Sequence, residues 1–111
     1  FMDEAERLCD RLAIIDSGRP IASASPAALI SREIEPHVIE VHGSGRAQWA
    51  DLAPSLGCGR VETVGETTVA YCEDPSAALA ALQTRTDLRT LHRPANLEDV
   101  FLKLTGRDLR D

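Results

Sequence analysis

Arg60-Val61-Glu62-Thr63-Val64-Gly65-Glu66-Thr67-Thr68-Val69-Ala70-Tyr71-Cys72 is the stretch whose reading decides the fold. Two runs rich in β-branched residues flank Gly65-Glu66, a loop with glycine first, as a type II′ hairpin turn wants because glycine alone takes positive φ there without cost. Upstream, His37-Val38-Ile39-Glu40-Val41-His42 is another such run, closed by Gly43-Ser44-Gly45. Downstream, Leu88-Arg89-Thr90-Leu91-His92-Arg93 reads as a further strand. Between the first strand and the hairpin, Ala47, Ala50, Leu52, Ala53 and Leu56 give an amphipathic helix that Gly57 stops, with Trp49 packed partly beneath it. After Asp74-Pro75-Ser76, Ala77 to Leu82 is rich in the strongest helix formers. The order β-α-β-β-α-β is that of a ferredoxin-like sandwich, an α+β fold in which two helices cover one face of an antiparallel sheet.

A C-terminal helix follows. Asn96 can cap it, with Asp99 positioned to answer, and Leu97, Val100, Phe101 and Leu104 form one apolar stripe before Gly106 ends it. The stripe has two readings: it covers the open end of its own sheet, or it docks on a second subunit or a larger core. Residues 107–111 read as a frayed tail.

Residues 1–35 have a different character from residues 36–111. Ala5, Leu8, Cys9 and Leu12 recur at helical spacing, Ala13-Ile14-Ile15 is a short strand, Ser17-Gly18-Arg19 a turn, and Pro20-Ile21-Ala22 a short edge strand. Ser25 caps a short helix with Pro26 in its first turn, where the missing N–H is no loss. The boundary falls at Ile34-Glu35-Pro36, because proline disfavours helix in the residue before it. Alone, Ala13-Ile14-Ile15 would present an unpaired apolar edge, so the segment before Pro36 is expected to be disordered, refolded or paired with another copy.

Composition removes several functions. A chain of 111 residues supports one small core, and a formal net charge of -6 opposes a surface that tracks phosphates, so nucleic acid is not an expected partner. No stretch approaches the ~20 apolar residues of a membrane span. Cys9, Cys58 and Cys72 are far apart in sequence and contain no Cys-x-x-Cys pair, which suits buried reduced thiols better than a disulfide framework or a zinc site.

The opening run Phe1-Met2-Asp3-Glu4-Ala5-Glu6-Arg7-Leu8-Cys9-Asp10-Arg11-Leu12-Ala13-Ile14-Ile15 resembles the segment after the switch histidine of ABC-transporter ATPases, which implies a histidine just before Phe1 and a longer parent protein. The family's Gly-Thr-Pro helix start is replaced here by Ala24-Ser25-Pro26. Arg93-Pro94-Ala95-Asn96-Leu97-Glu98-Asp99-Val100-Phe101-Leu102-Lys103-Leu104-Thr105-Gly106-Arg107 looks like the closing motif of export ATPases of that family. With Val38-Ile39-Glu40-Val41, it makes the chain most similar to nodulation-factor export ATPases, which export lipo-chitooligosaccharides, and to related drug-export ATPases.

The resemblance implies a remnant of the nucleotide-binding domain over 1–35 and an accessory domain over 36–111. It further implies a parent that binds ATP and Mg, pairs with a second copy of itself and a membrane-spanning permease subunit, and works in the cytoplasm at the inner face of the membrane. Gly-x-x-x-x-Gly-Lys-Ser/Thr and Leu-Ser-Gly-Gly do not occur in this sequence, so the chain itself is read as non-catalytic and without a cofactor. Glu4, Glu6, Asp10 and Arg11 match the family pattern and are read as serving helix charge and packing. The rival function is a small-molecule-sensing module, on fold analogy alone.

Other candidates read more blandly. His37 and His42 lie on opposite faces of one strand, since side chains alternate, and cannot converge on an ion. Glu98 and Asp99 diverge around a helix and suit its N-terminal dipole. Arg85, Arg89 and Arg93 are read as a solvated face, and no catalytic or metal-ligating residue is assigned. The interaction candidates are Leu97, Val100, Phe101 and Leu104.

Overall fold

In a computed structural model, residues 2–106 are described, and the expected frayed tail at 107–111 lies outside them. They form a mixed α+β structure with two antiparallel sheets. The elements in chain order are α1 (Met2–Leu8), β1 (Leu12–Asp16), β2 (Arg19–Ala24), α2 (Pro26–Glu33), β3 (His37–His42), α3 (Arg46–Leu52), β4 (Cys58–Val64), β5 (Thr67–Cys72), α4 (Ser76–Gln83), β6 (Arg89–Pro94) and α5 (Leu97–Thr105). They cluster into two compact units: one runs from Glu35 to Pro94, and the other joins the residues up to Ile34 with those from Ala95 onward.

In the Glu35–Pro94 unit the strand order is β4-β5-β3-β6, every pair antiparallel, so β5 is inserted between β3 and β4, the strands that α3 connects. Gly65 has φ 60 and Glu66 is not among the positive-φ residues, as the sequence requires of a II′ turn. Pairing then runs Val64↔Thr67 to Arg60↔Tyr71, where a bulge at Gly59 shifts the register and brings Cys58 opposite Cys72. Pro54 cannot donate a backbone hydrogen bond, and the helix begun at Arg46 tightens into a 3-10 turn over Ala53–Leu56 before Gly57 ends it at φ 89.

The core lies between α3, α4 and one sheet face, where Trp49, Ala53, Ala78 and Leu82 meet Ile39, Val41, Ala70, Cys58 and Cys72. Trp49 is only 1% exposed, and so is fully rather than partly covered. His37 pairs with Pro94, so the first and last strands of this unit are neighbours and the chain leaves it one strand spacing from where it entered.

In the other unit β1 and β2 form a hairpin whose turn residues Ser17 and Gly18 have φ 54 and 77. Ser25 caps α2 through its Oγ, which accepts from the Ala28 N–H at 3.2 Å. The segment before Pro36, expected to be disordered, refolded or paired with another copy, instead forms α1, the β1–β2 hairpin and α2, and α5 of the same chain packs with α1 and α2. The same packing puts α5 with the first segment, whereas the sequence grouped all of 36–111 together. An amphipathic stripe shows that a helix is buried, not what buries it. The helical stripe read through Leu8 and Cys9 is also corrected: α1 ends at Leu8, which is 79% exposed, and Cys9 is exposed beyond it.

Candidate functional site

The four interaction candidates on α5 divide into two classes. Leu97 and Val100 are buried at 1% and 0% exposure, while Phe101 and Leu104 are half-buried and retain accessible surface. The helix is fixed at both ends. Asn96 and Asp99 form a capping box, with the Asp99 N–H donating to Asn96 Oδ1 at 3.0 Å and the Asn96 N–H donating to Asp99 Oδ2 at 2.9 Å. Glu6 of α1 accepts the next free donor, the Leu97 N–H, at 2.8 Å, which adds negative charge at the positive end of the helix dipole. Lys103 near the other end donates to the Glu33 carbonyl at 2.7 Å, placing a cation on the last turn of α2. Asp99 is therefore a structural carboxylate, as its position in the first turn implied.

In the Glu35–Pro94 unit the polar side chains meet in ways the sequence did not disclose. Arg60 stacks its guanidinium 3.8 Å above the centre of the buried Tyr71 ring, donates to Glu62 at 2.8 Å and reaches Glu35 at 3.4 Å. Arg93, read as part of a solvated face, is paired with Glu40 at 2.6 Å, and Arg85 is paired with Asp87 at 2.9 Å. Hydrogen bonding within that second pair holds the Arg85 guanidinium above and the Asp87 carboxyl below their ordinary ranges. Arg93 and Glu40 lie on neighbouring strands and meet through the β3–β6 register, whereas Glu62 and Asp87 lie two residues from their arginines.

Cys58 and Cys72 are buried free thiols with Sγ atoms 2.9 Å apart. Burial, followed by the contact with Cys58, pushes the Cys72 thiol up to about 12. Neither is a nucleophile at neutral pH, because the thiolate is the reactive form. The reading of the cysteines as buried and reduced thus describes Cys58 and Cys72, while Cys9 is exposed.

His42 sits beside Thr67 Oγ1 at 3.2 Å, apart from the other two histidines. His37 and His92, which were not paired in the sequence reading, lie with Nδ1 and Nε2 3.1 Å apart. The signal that finds them is the β3–β6 register, in which His92 opposes Ile39 and is the diagonal neighbour of His37.

The sequence contains no phosphate-cradling glycine-lysine loop, and the described residues contain no set of three His, Cys, Asp or Glu side chains placed to hold a metal ion. No helix among the described residues is long and apolar enough to cross a membrane.

Comparison with known proteins places this arrangement. Residues 47–106, from α3 to the glycine that ends α5, match the family model described as nodulation factor export protein NodI, C-terminal domain. The chain is 52% identical over 111 residues to the Nod factor export ATP-binding protein I of Burkholderia lata and 53% identical over 112 residues to that of Burkholderia thailandensis. It is 50% identical over 117 residues to the protein of the same name from Ralstonia nicotianae. Each match covers 100% of this chain and 36% of the relative, so the chain spans just over a third of the length of these relatives. With its β4–β5 hairpin and its capped last helix inside the matched residues 47–106, the chain belongs to the family of nodulation-factor export protein C-terminal domains.

Proposed function

We propose that this chain is the non-catalytic accessory end of the ATP-binding subunit of an ABC exporter, with a docking, dimerising or regulatory role. The observation that carries this reading is the match of the whole chain to only 36% of the length of an export ATP-binding relative. On this reading residues 1–35 finish the nucleotide-binding domain, and the accessory domain begins at Pro36. ATP and Mg are held by other parts of the parent protein. The strand order, with β5 inserted between β3 and β4, supports a ferredoxin-like sandwich for the accessory sheet.

The parent's partners are then a second copy of the subunit and a membrane-spanning permease, which keep it at the cytoplasmic face of the membrane. Its cargo is of the lipo-oligosaccharide or drug-like class. Phe101 and Leu104 are the part of the α5 stripe with surface left for a partner, while Leu97 and Val100 hold the helix in place.

The test has two arms. The isolated 111-residue chain is expected to show no ATP binding or hydrolysis, and activity like that of a complete ATPase would overturn the reading. In the intact subunit, Leu104→Asp is expected to reduce copurification of the permease or of the second copy while ATP binding is retained. Unchanged assembly would remove the α5 surface from the proposal.

A further inference from the structure

His37 and His92 reach toward each other from adjacent antiparallel strands at the β6 edge of the sheet, with ring centroids 5.2 Å apart and planes inclined by 35°. The facing nitrogens, Nδ1 of His37 and Nε2 of His92, are 3.1 Å apart. Two neutral imidazoles at that separation share one N–H. The same separation suits two donors on one ion. Metal–imidazole bonds of about 2.0–2.1 Å place cis nitrogens roughly 2.9 Å apart at a right angle and roughly 3.3 Å apart at a tetrahedral angle.

We propose that His37 and His92 form a bidentate chelate for a divalent transition-metal ion, with water in the remaining coordination positions. His37 carries its proton on Nε2 and His92 on Nδ1 in the bound form, so both facing nitrogens offer lone pairs. Protons balance: the N–H shared between the rings in the free form moves to the outer nitrogen of its own ring, and none is lost from the pair. Imidazole donors select copper, nickel and zinc over magnesium and calcium, so the site is distinct in kind from the Mg of a nucleotide site. The carboxylate of Asp74 stands within electrostatic range of His37, which favours a cation near the pair. This inference does not depend on the exporter reading.

The experiment is calorimetric titration of the whole chain with NiCl2 and CuCl2 in a weakly coordinating buffer. It is carried out in a Cys9→Ser background because Cys9 is an exposed thiol that would compete for the metal. One ion per chain is expected, bound more tightly for copper than for nickel, as the stability order of divalent ions requires. His37→Ala and His92→Ala should each weaken binding by about tenfold or more, equivalent to about 1.4 kcal/mol, and His42→Ala should leave it unchanged. If an alanine variant loses its circular dichroism signature, His37→Phe and His92→Phe take its place, keeping an aromatic ring but no donor. The proposal is overturned by absence of saturable binding up to about 1 mM, by binding undiminished in both variants, or by a loss confined to His42→Ala.

Discussion

The Glu35–Pro94 unit and the unit made from the two ends of the chain are built by opposite routes. In the first, the core residues all come from one continuous stretch, whose hairpin β4–β5 is local and whose last strand closes beside its first. In the second, α5 packs with α1 and α2 although residues 35–94 intervene, a closure that costs chain entropy growing with loop length. The sheet itself lowers that cost: His37 and Pro94 are paired, so a folded sheet returns the chain beside its starting point. An insertion is tolerated where its two ends already lie close together.

Substitutions at four positions and one titration sharpen or break this comparison. The largest effect is expected for Trp49→Ala, which empties the centre of the continuous core and should cost about 3–5 kcal/mol, read as a drop in urea midpoint. Trp49→Phe should cost less, since it keeps a ring and removes an indole N–H that has no acceptor among the described residues. Leu97→Ala attacks the discontinuous unit and should cost about 2–5 kcal/mol; a negligible cost would mean that α5 is not what holds the chain ends together. Gly43→Ala comes next, at about 1–3 kcal/mol. Gly43 has φ 128, and a Cβ there would run into the Asp87 carbonyl, wedging the loop before α3 away from the loop before β6.

The titration concerns Cys72. Its folded pKa is raised from 9.0 to about 12, so the native state holds a proton that the unfolded state releases above pH 9. Stability is therefore unaffected below pH 9 and falls between pH 9 and about 12, by up to about 1.4 kcal/mol per pH unit. Urea midpoints at pH 8 and pH 10 measure this, and Cys72→Ala should flatten the difference. The smallest effect is expected for Asn96→Ala, which removes one half of the capping box and should cost about 1 kcal/mol. Thermal melts resolve a change of that size.

What was legible in the sequence was whatever a few adjacent residues fix by themselves. Gly65-Glu66 set the hairpin, Ser25-Pro26 and Asn96…Asp99 set two helix starts, and Gly57 and Gly106 set two ends. The Cys58–Cys72 contact was hidden because it depends on the bulge at Gly59: an unbroken ladder from Gly65-Glu66 would have put Gly59, not Cys58, opposite Cys72. The His37–His92 contact was hidden because those residues meet only once β6 takes its place beside β3. Glu6 read as a helix-charge residue of α1, and nothing near it in sequence pointed to the Leu97 N–H it accepts.

By itself the sequence determined the elements, their turns and caps, and the family, because each follows from backbone preferences and motifs carried by neighbouring residues. Only the tertiary structure decided which helix packs with which segment and which side chains become partners across strands. Those choices depend on register and on chain closure over long separations, where one added residue in a strand or one shared apolar stripe admits several outcomes until the whole core selects among them.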